Sequence, residues 1–495
     1  MIYIVEKRNE DKKLKNIILT FLIAFVVGCT SLNEPKPFEK NTTTQEGNTQ
    51  TNLSSSGKIV SIKALKGNLT ELSQRLDKIH PDPGFTMDVS EIKSQIESLS
   101  NGITSPMTHY EAWKYFAQLN PYFKDGHMLI ASPQLDAQFK SHIQNGGRLF
   151  PFDVMIDSSQ RLLVAETLEG YSEIKIGDEI TSVNGVGASK IIETMLARMY
   201  GDSLEFRTAF TASRFKKMYW LLFGSSRNYQ IEIMHEDERK QFSIMGVSED
   251  PENHNADVRE FVQSRILDNG IGYLRVDRFF YSQEQEQPFF KFLDEMWQAF
   301  KDNNVKDVII DVRHNPGGTD HYWQRGIAPF IASKPFPFLS NFKIRMTERN
   351  IKLGPIRGKQ GEIIEGIFNQ LVPVDAHKGL KIPGRAYLLM GPLSYSSTIL
   401  FLTSLQDSKQ AVIAGHSNVR SCTTGRIETH VLPGSNLELT MPTLIFTRPS
   451  GKEHCQQPIE PDVYLSNEVV NSNEAVEYLA KYITANRQTT IKTLQ

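Results

Sequence analysis

The stretch from Val305 to Thr319, which reads VKDVIIDVRHNPGGT, constrains the fold of this chain more than any other. Val308, Ile309 and Ile310 form a β-branched run that is typical of a strand buried on both faces. The run ends in a turn with two adjacent glycines, whose backbone can adopt conformations closed to other residues. Their N–H groups can point into a cleft and stabilise negative charge on a carbonyl oxygen. An ordinary strand followed by a Pro-Gly turn is the alternative interpretation.

The composition excludes several classes of function. A polypeptide of 495 residues is long enough for about three domains with real cores. The formal net charge is −2 and the sequence pI is about 6.7, so there is no electrostatic case for a nucleic-acid partner. The sequence contains no Walker loop, no HExxH, no paired CxxC and no complete GxGxxG. We therefore predict no cofactor and no metal site.

A second segment carries candidate nucleophiles. Arg385 to Met390 has the pattern of a buried strand, and it leads through the segment LSYSST at 393–398 into an apolar helix. A hydroxyl at a strand end, near the N–H groups of a helix start, is well placed for nucleophilic catalysis. The alternative is that Ser394 or Ser396 only caps the helix. A strand at 271–276, a helix at 289–300 and the strand at 308–310 form a βαβ unit, which predicts an α/β core with a largely parallel sheet.

Five segments, in order, carry a resemblance to a known family. DVRHNPGG at 311–318 resembles the DxRxNxGG segment of the C-terminal processing peptidases, which are serine peptidases that include the tricorn-core relatives. The other segments are an HP turn at 80–81 with DGH at 125–127, a PDZ-like GDEITSVNG at 177–185, LSYSST at 393–398 and IEPD at 459–462. The resemblance covers roughly His80 to Asp462.

The resemblance implies a multidomain α/β (α+β) fold. Its parts are an N-terminal helical bundle, a PDZ-like β domain and a ClpP/crotonase-like α/β serine peptidase core. Apolar residues at helical spacing between 59 and 123 favour the helical bundle independently. The predicted units are a signal peptide at 1–28, a flexible tether at 29–57, the helical domain at 58–132, the PDZ-like domain at 145–247 and the catalytic core at 258–490.

The resemblance also implies the roles of individual residues. The nucleophile is Ser396, with Ser397 as the alternative one position later. The oxyanion hole is formed by the backbone N–H groups of Gly318 and Ser397, and Gly317 is the less favoured glycine. The general base is His127, because an imidazole with an ordinary pKa of about 6.5 can accept a serine proton near neutral pH.

The base and the acid that orients it leave alternatives open. One branch of the family uses a lysine about 25 residues after the serine, but the segment 416–426 contains no lysine. The Ser-Lys dyad is therefore excluded, and arginine cannot replace it because it does not deprotonate. Glu453 is the predicted acid, although the glutamate of the family aligns nearest Cys455. Weaker candidates for the base are His314, His321, His416 and His430.

The start of the chain predicts export and lipid anchoring. Five basic residues precede an apolar run from Ile17 to Val27, which is too short to span a membrane and is typical of a secretory signal. The run ends in VVGC at 26–29, which resembles the lipobox of bacterial lipoproteins, so Cys29 is the predicted lipidation site. The polar stretch at 33–57 is typical of a flexible tether. Cys422 and Cys455 lie on segments that the family places around the active site, and an exported protein meets oxidising conditions, so we predict a disulfide between them.

Together these features predict an exported, lipid-anchored serine endopeptidase of the bacterial cell envelope. Its partner is a peptide or protein substrate, including the carboxyl terminus of a polypeptide, that the PDZ-like domain positions by strand addition. Two alternatives are a catalytically inactive relative that binds peptides and a ligand-binding surface lipoprotein. The sequence does not indicate the oligomeric state.

Overall fold

The computed structural model describes residues 2–3, 59–166, 170–235, 238–248, 257–374, 379–416, 419–472 and 474–493. Apart from Ile2 and Tyr3, the predicted signal peptide and tether lie outside these described residues. No helix within the described residues has the length and apolar character needed to cross a bilayer.

The first described part after residue 58 is helical, as predicted. Residues 2–3 form β1 (Ile2–Tyr3), and the elements of the helical part are β2 (Ile59–Val60), α1 (Ile62–Ile79), α2 (Val89–Gly102), β3 (Met107–Thr108), α3 (His109–Phe116), β4 (Leu129–Ala131) and α4 (Pro133–Gln144). The leucines spaced along one face of α1 are all buried, namely Leu65, Leu69, Leu72 and Leu76. Ser61 caps α1 by accepting a hydrogen bond from the N–H of Ala64, which satisfies a backbone donor of the first turn.

A second part of the chain forms an antiparallel six-stranded sheet with three helices, which we call the middle region (residues 154–245). Its elements are β5 (Val154–Ile156), β6 (Leu162–Val164), β7 (Glu179–Val183), β8 (Val186–Gly187), α5 (Ala188–Leu196), α6 (Leu204–Ser213), α7 (Phe215–Phe223), β9 (Asn228–His235) and β10 (Glu238–Met245). The strand order is β10-β9-β7-β6-β5, with β8 paired to β7. Asn184 and Gly185 both have positive φ and form the turn between β7 and β8.

The core follows from residue 262 onward. Its elements are β11 (Val262–Ile266), β12 (Gly272–Val276), α8 (Gln283–Asp302), β13 (Val308–Asp311), α9 (His321–Gly326), α10 (Ala328–Ile331), β14 (Phe336–Pro337), β15 (Asn341–Arg345), α11 (Glu348–Leu353), β16 (Ile363–Phe368), β17 (Leu371–Val372), β18 (Ala386–Leu389), α12 (Ser397–Asp407), β19 (Val412–Gly415), β20 (Thr423–Val431), β21 (Glu438–Thr447), β22 (Val463–Tyr464), α13 (Asn467–Val470) and α14 (Ala475–Thr493).

The core contains the predicted parallel sheet. Its strand order is β11-β12-β13-β18-β19-β22, and every neighbouring pair is parallel except β11 with β12. Side chains alternate between the two faces of β13, so Val308 and Ile310 share the main hydrophobic core while Ile309 belongs to the smaller cluster that includes α14. Helices cover both faces, which explains why β13 is apolar at every core position.

A second core sheet, which the sequence patterns did not predict, is antiparallel. Its strand order is β1-β16-β15-β21-β20. The short strand β4, which begins two residues after His127, joins this sheet by pairing with β21. The pairing matches Leu129, Ile130 and Ala131 with residues 438–440 and fixes the end of the helical part against the core. The segment that carries His127 and the strand β21 are thereby joined in the antiparallel core sheet, although they are distant in the sequence.

Candidate active site

The loop between β18 and α12 carries a serine in an unusual backbone conformation. Ser396 has φ 56° and ψ −120°, values that residues other than glycine rarely adopt and that cost about 1–3 kcal/mol. The residue stands immediately before the first turn of α12, between the buried side chains of Tyr395 and Ser397. Ser396 itself is only half-buried. Its hydroxyl is therefore held at a strand-to-helix turn and remains within reach of solvent.

The DVRHNPGG segment holds this turn through Asn315. The Asn315 side chain accepts hydrogen bonds from the N–H of Gly317 and from Thr398 Oγ1, each at 2.9 Å, and donates from Nδ2 to the carbonyl oxygen of Val276 at 3.1 Å. Its backbone carbonyl accepts the N–H of Tyr395 at 3.1 Å. One buried amide thus ties the glycine turn to the serine turn and to strand β12.

Gly317 and Gly318 lie against the serine turn in conformations that favour glycine. Their φ values are 98° and 138°, and a Cβ on Gly317 would lie 2.7 Å from the Cβ of Ser396. The N–H of Gly317 is already used by Asn315. Among the described residues, the N–H groups of Gly318 and Ser397 have no hydrogen-bond acceptor within the protein. These two N–H groups, rather than that of Gly317, are free to stabilise an oxyanion.

His127 reaches Ser396 from the helical part of the chain. Its Nε2 lies 3.0 Å from Ser396 Oγ, and its Nδ1 lies 2.8 Å from Thr424 Oγ1 at the start of β20. Thr424 Oγ1 donates its own proton to Asp125 Oδ1 at 3.0 Å. The threonine oxygen must then accept from Nδ1–H, which leaves the lone pair of Nε2 to accept the serine proton.

The residue that orients His127 differs from the prediction. The expected Glu453 is exposed on a short turn at 452–454 and has no hydrogen bond with the imidazole. Thr424 occupies Nδ1 instead, and the carboxylate of Asp125 lies behind it, with Oδ1 3.9 Å from Nδ1. The structure therefore does not bring Glu453 to the imidazole, and Thr424 occupies the position beside Nδ1 that an orienting acid would take.

Comparison with known proteins finds a family profile that matches part of the chain. Residues 270–465 match the profile of Peptidase family S41. Through this segment the chain is similar to peptidase family S41. The predicted resemblance to the C-terminal processing peptidases is confirmed, and the protein is a peptidase of the serine type. Curated protein sequences provide no match to it.

Solved structures share the fold of this protein. Mature CPAF in complex with lactacystin has a TM-score of 0.61 at 13% identity, over 86% of this chain and 98% of CPAF. A second structure of mature CPAF has a TM-score of 0.58 at 14% identity, over 85% of this chain and 96% of the other. The photosystem II D1 C-terminal processing protease has a TM-score of 0.44 at 14% identity, with coverages of 82% and 94%. At these identities the two CPAF structures show a common fold.

Burial determines the charge of His127. The side chain is 8% exposed, and this burial lowers its pKa to about 4, although the nearby carboxylate of Asp202 acts in the opposite direction. The imidazole is therefore neutral at pH 7 and available as a proton acceptor. Burial also raises the pKa of Asp125 above its ordinary value, while Arg420 opposes this shift.

Ser397, the alternative nucleophile, has another role in the structure. Its hydroxyl donates to Asp320 Oδ1 at 2.5 Å and accepts a hydrogen bond from Trp323 Nε1 at 3.0 Å. The residue is buried, and the two ring nitrogens of His127 are hydrogen bonded to Thr424 and Ser396 instead. The hydroxyl that lies beside the imidazole is that of Ser396.

The weaker candidates for the base lie elsewhere in the structure. His321 faces Glu286, His430 faces Glu428, and the ring of His416 contacts that of Tyr464. His314 is exposed beside the glycine turn. Within the described residues, none of the four is hydrogen bonded to Ser396.

An ion pair and the predicted disulfide stabilise the surroundings of the site. Asp311 is buried and paired with Arg313 at 2.7 Å, and Arg313 also donates to the carbonyl oxygens of Val470 and Ser472. Cys422 and Cys455 form a disulfide that joins the segment before Thr424 to the turn at 452–454. Cys29 lies outside the described residues. No group of three or more His, Cys, Asp or Glu side chains suited to a metal ion occurs among the residues that the structure describes.

Proposed function

We propose that this protein is an endopeptidase in which Ser396 is the nucleophile and His127 the general base. The observation that carries the proposal is the hydrogen bond of 3.0 Å between His127 Nε2 and Ser396 Oγ. Three features support it: the neutral imidazole, the half-buried position of the serine and the two unused N–H groups beside it. Before substrate arrives, the imidazole can already accept a proton and the serine hydroxyl can be reached from solvent. The two N–H groups can already donate to an oxyanion.

The proposed reaction follows the usual steps of acyl transfer. Ser396 Oγ attacks the peptide carbonyl while its proton passes to His127 Nε2. The N–H groups of Gly318 and Ser397 stabilise the oxyanion of the tetrahedral intermediate. The imidazolium then donates its proton to the leaving amine, and a water activated by the same nitrogen hydrolyses the acyl-enzyme. Throughout, Thr424 and Asp125 hold the proton on Nδ1 and stabilise the positive ring.

The middle region is proposed to position the substrate in the manner of a PDZ domain. Support comes from the strand β7 and the Asn184-Gly185 turn, which lie within the GDEITSVNG segment, and from the helix α5, which follows it in the expected order. Such a region binds an extended peptide by strand addition and captures its terminal carboxylate with backbone N–H groups. A substrate peptide with a free C-terminus should then have a lower KM than its C-terminal amide, with an equal kcat.

We further propose that the protein is exported and anchored by a lipid on Cys29. The leader and the VVGC segment support this localisation, and a disulfide within the core is typical of an oxidising compartment. In cells grown with radioactive palmitate, the wild-type protein should be labelled and sediment with membranes. Cys29→Ser should be unlabelled, and labelling that persists in this variant would refute the assignment.

Hydrolysis of fluorescein-labelled casein tests the proposed activity. We expect Ser396→Ala to lower the rate about 10⁴-fold or more, because the nucleophile is lost. Ser408→Ala is the matched control, since this serine lies just beyond the opposite end of α12 and bonds only to helix carbonyls. An unchanged rate in Ser396→Ala would overturn the proposal.

A further inference from the structure

A buried cluster of polar side chains lies behind His127 and Ser396. It consists of Asp125, Asp202, Tyr395 and Arg420. The Tyr395 hydroxyl lies 2.8 Å from Asp202 Oδ1 and 3.2 Å from Asp125 Oδ1, and Arg420 Nε lies 3.3 Å from Asp202 Oδ2. The side chains of Asp125, Asp202 and Arg420 are 0%, 11% and 12% exposed. Charges held this far from water are costly unless they are paired and hydrogen bonded.

Asp202 is the member of this cluster that comes from the middle region. It lies in the connection between α5 and α6, whereas Asp125 precedes His127 and Tyr395 precedes α12. The same connection leads to Phe206, whose ring contacts the Tyr395 ring with centroids 5.0 Å apart. The middle region thus contributes both an apolar contact and a carboxylate to the back of the candidate active site.

One oxygen of Asp202 binds the chain neighbours of both reacting residues. Asp202 Oδ1 accepts the N–H of Gly126 at 2.8 Å and the hydroxyl of Tyr395 at 2.8 Å. Gly126 immediately precedes His127, and Tyr395 immediately precedes Ser396. The N–H of Gly126 also donates to the Tyr395 hydroxyl at 2.9 Å, which closes a three-membered set of hydrogen bonds. A shift of this oxygen would move the two loops relative to each other.

We propose that Asp202 is a positioning residue that holds the loops of His127 and Ser396 in register, and so makes the reaction depend on how the middle region packs against the core. This inference rests on the proposed function of Ser396 and His127. Arg420 ties Asp202 to the segment before His127. Its guanidinium pairs with Asp202, and its Nη2 donates to the carbonyl oxygen of Lys124 at 2.8 Å. A substrate that alters the packing of the middle region would thereby alter the alignment of base and nucleophile.

The mechanism predicts an effect on the chemical step rather than on ligand binding. A misaligned serine–imidazole pair loses rate even when the binding surface is intact. Inactivation of the full-length protein by a fluorophosphonate measures this step without a known peptide substrate, because the probe reacts with an activated serine. The maximal inactivation rate constant reports alignment, and the probe concentration at half-maximal rate reports binding.

Three variants test the role of Asp202. Asp202→Ala removes both hydrogen bonds and should lower the maximal rate about 10- to 100-fold, the effect of losing hydrogen bonds to a charged group. The probe concentration at half-maximal rate should stay within about twofold of the wild-type value. Asp202→Asn retains an oxygen that can accept both hydrogen bonds, so it should recover a large part of the rate. Glu205→Gln, which removes an exposed carboxylate in the first turn of α6, should react like the wild type.

The fraction of reactive enzyme separates positioning from folding. If Asp202→Ala lowers only this fraction, while the folded remainder reacts at the wild-type rate, Asp202 has a structural role and the inference is wrong. An unchanged rate in Asp202→Ala also overturns it. Should Asp202→Ala fail to fold, Tyr395→Phe keeps the aromatic contact with Phe206 and removes the hydroxyl, and the same loss of maximal rate is expected. Reaction that persists in Ser396→Ala would instead refute the proposed function itself.

Discussion

The Nε2 atom of His127 lies 3.0 Å from the Oγ atom of Ser396, although the two residues are 269 positions apart in the sequence. The approach depends on the pairing of β4 with β21, because β4 begins two residues after His127 and this pairing fixes it in the antiparallel core sheet. Thr424, at the start of the neighbouring strand β20, is held by the same sheet. The antiparallel core sheet therefore holds both the segment that carries His127 and the threonine that is hydrogen bonded to its imidazole.

Replacement of Thr424 should identify the group that orients His127. In Thr424→Val the side chain keeps its shape but loses the oxygen that accepts from Nδ1. We expect the maximal rate of casein hydrolysis to fall about 10- to 100-fold, as for a buried donor left without a partner. Glu453→Gln, at the acid predicted from the sequence for this role, should retain the wild-type rate. If instead Glu453→Gln loses the rate of casein hydrolysis and Thr424→Val retains it, Glu453 is the residue that orients His127.

The pH dependence of the reaction should reflect the burial of His127. Because only the neutral imidazole accepts the serine proton, the rate falls as pH drops through the pKa of the folded protein, which is about 4. The fluorophosphonate inactivation rate should thus remain nearly constant between pH 8 and about pH 6 and be halved near pH 4. A midpoint close to the ordinary value of about 6.5 would contradict the buried, neutral imidazole.

The same burial predicts a loss of stability in acid. The unfolded protein binds a proton at His127 near pH 6.5, whereas the folded protein does so only near pH 4. The stability is therefore complete above pH 6.5 and decreases as pH falls from 6.5 towards 4. His80, which is fully buried and has its pKa lowered to about 4 by burial, adds to this effect. Thermal unfolding midpoints at pH 7 and pH 5 should differ less in His80→Gln than in the wild type.

The disulfide between Cys422 and Cys455 should contribute to stability. The two residues are 33 positions apart, and closing a loop of that size stabilises a folded protein by about 3–4 kcal/mol. Urea unfolding of the variant with both Cys422→Ser and Cys455→Ser should show this decrease in the free energy of unfolding. Dithiothreitol should lower the stability of the wild type by a similar amount and leave the double variant unaffected. Equal stability of the oxidised wild type and the double variant would contradict this contribution.

The sequence predicted the local features of the site better than its long-range contacts. The β-branched run at 308–310 and the glycine pair at 317–318 have distinctive patterns, and the structure places them as a buried strand and a turn with positive φ at both glycines. The position of His127 beside Ser396 was inferred from a resemblance, because nothing in the periodicity of either segment specifies that β4 pairs with β21.

Thr424 and Asp202 could not be identified from the sequence for a related reason. A threonine at the start of a strand is common, and its role arises only from the pairing of β20 with β21. Asp202 lies in a connection between two helices, and its role depends on contacts with residues that are distant in the sequence. The acidic residue of the DGH segment was visible in the sequence, but its hydrogen bond through Thr424 depends on strands that are about 300 residues further along the sequence.

Mass mapping of a fluorophosphonate adduct on the full-length protein tests the central claim most directly. We predict one adduct on the wild-type protein at pH 7, located on Ser396. Ser397→Ala should still form the adduct at Ser396, whereas Ser396→Ala and His127→Gln should form none at a comparable rate. An adduct located on Ser397, or one that forms equally fast without His127, would contradict the proposed serine–histidine pair.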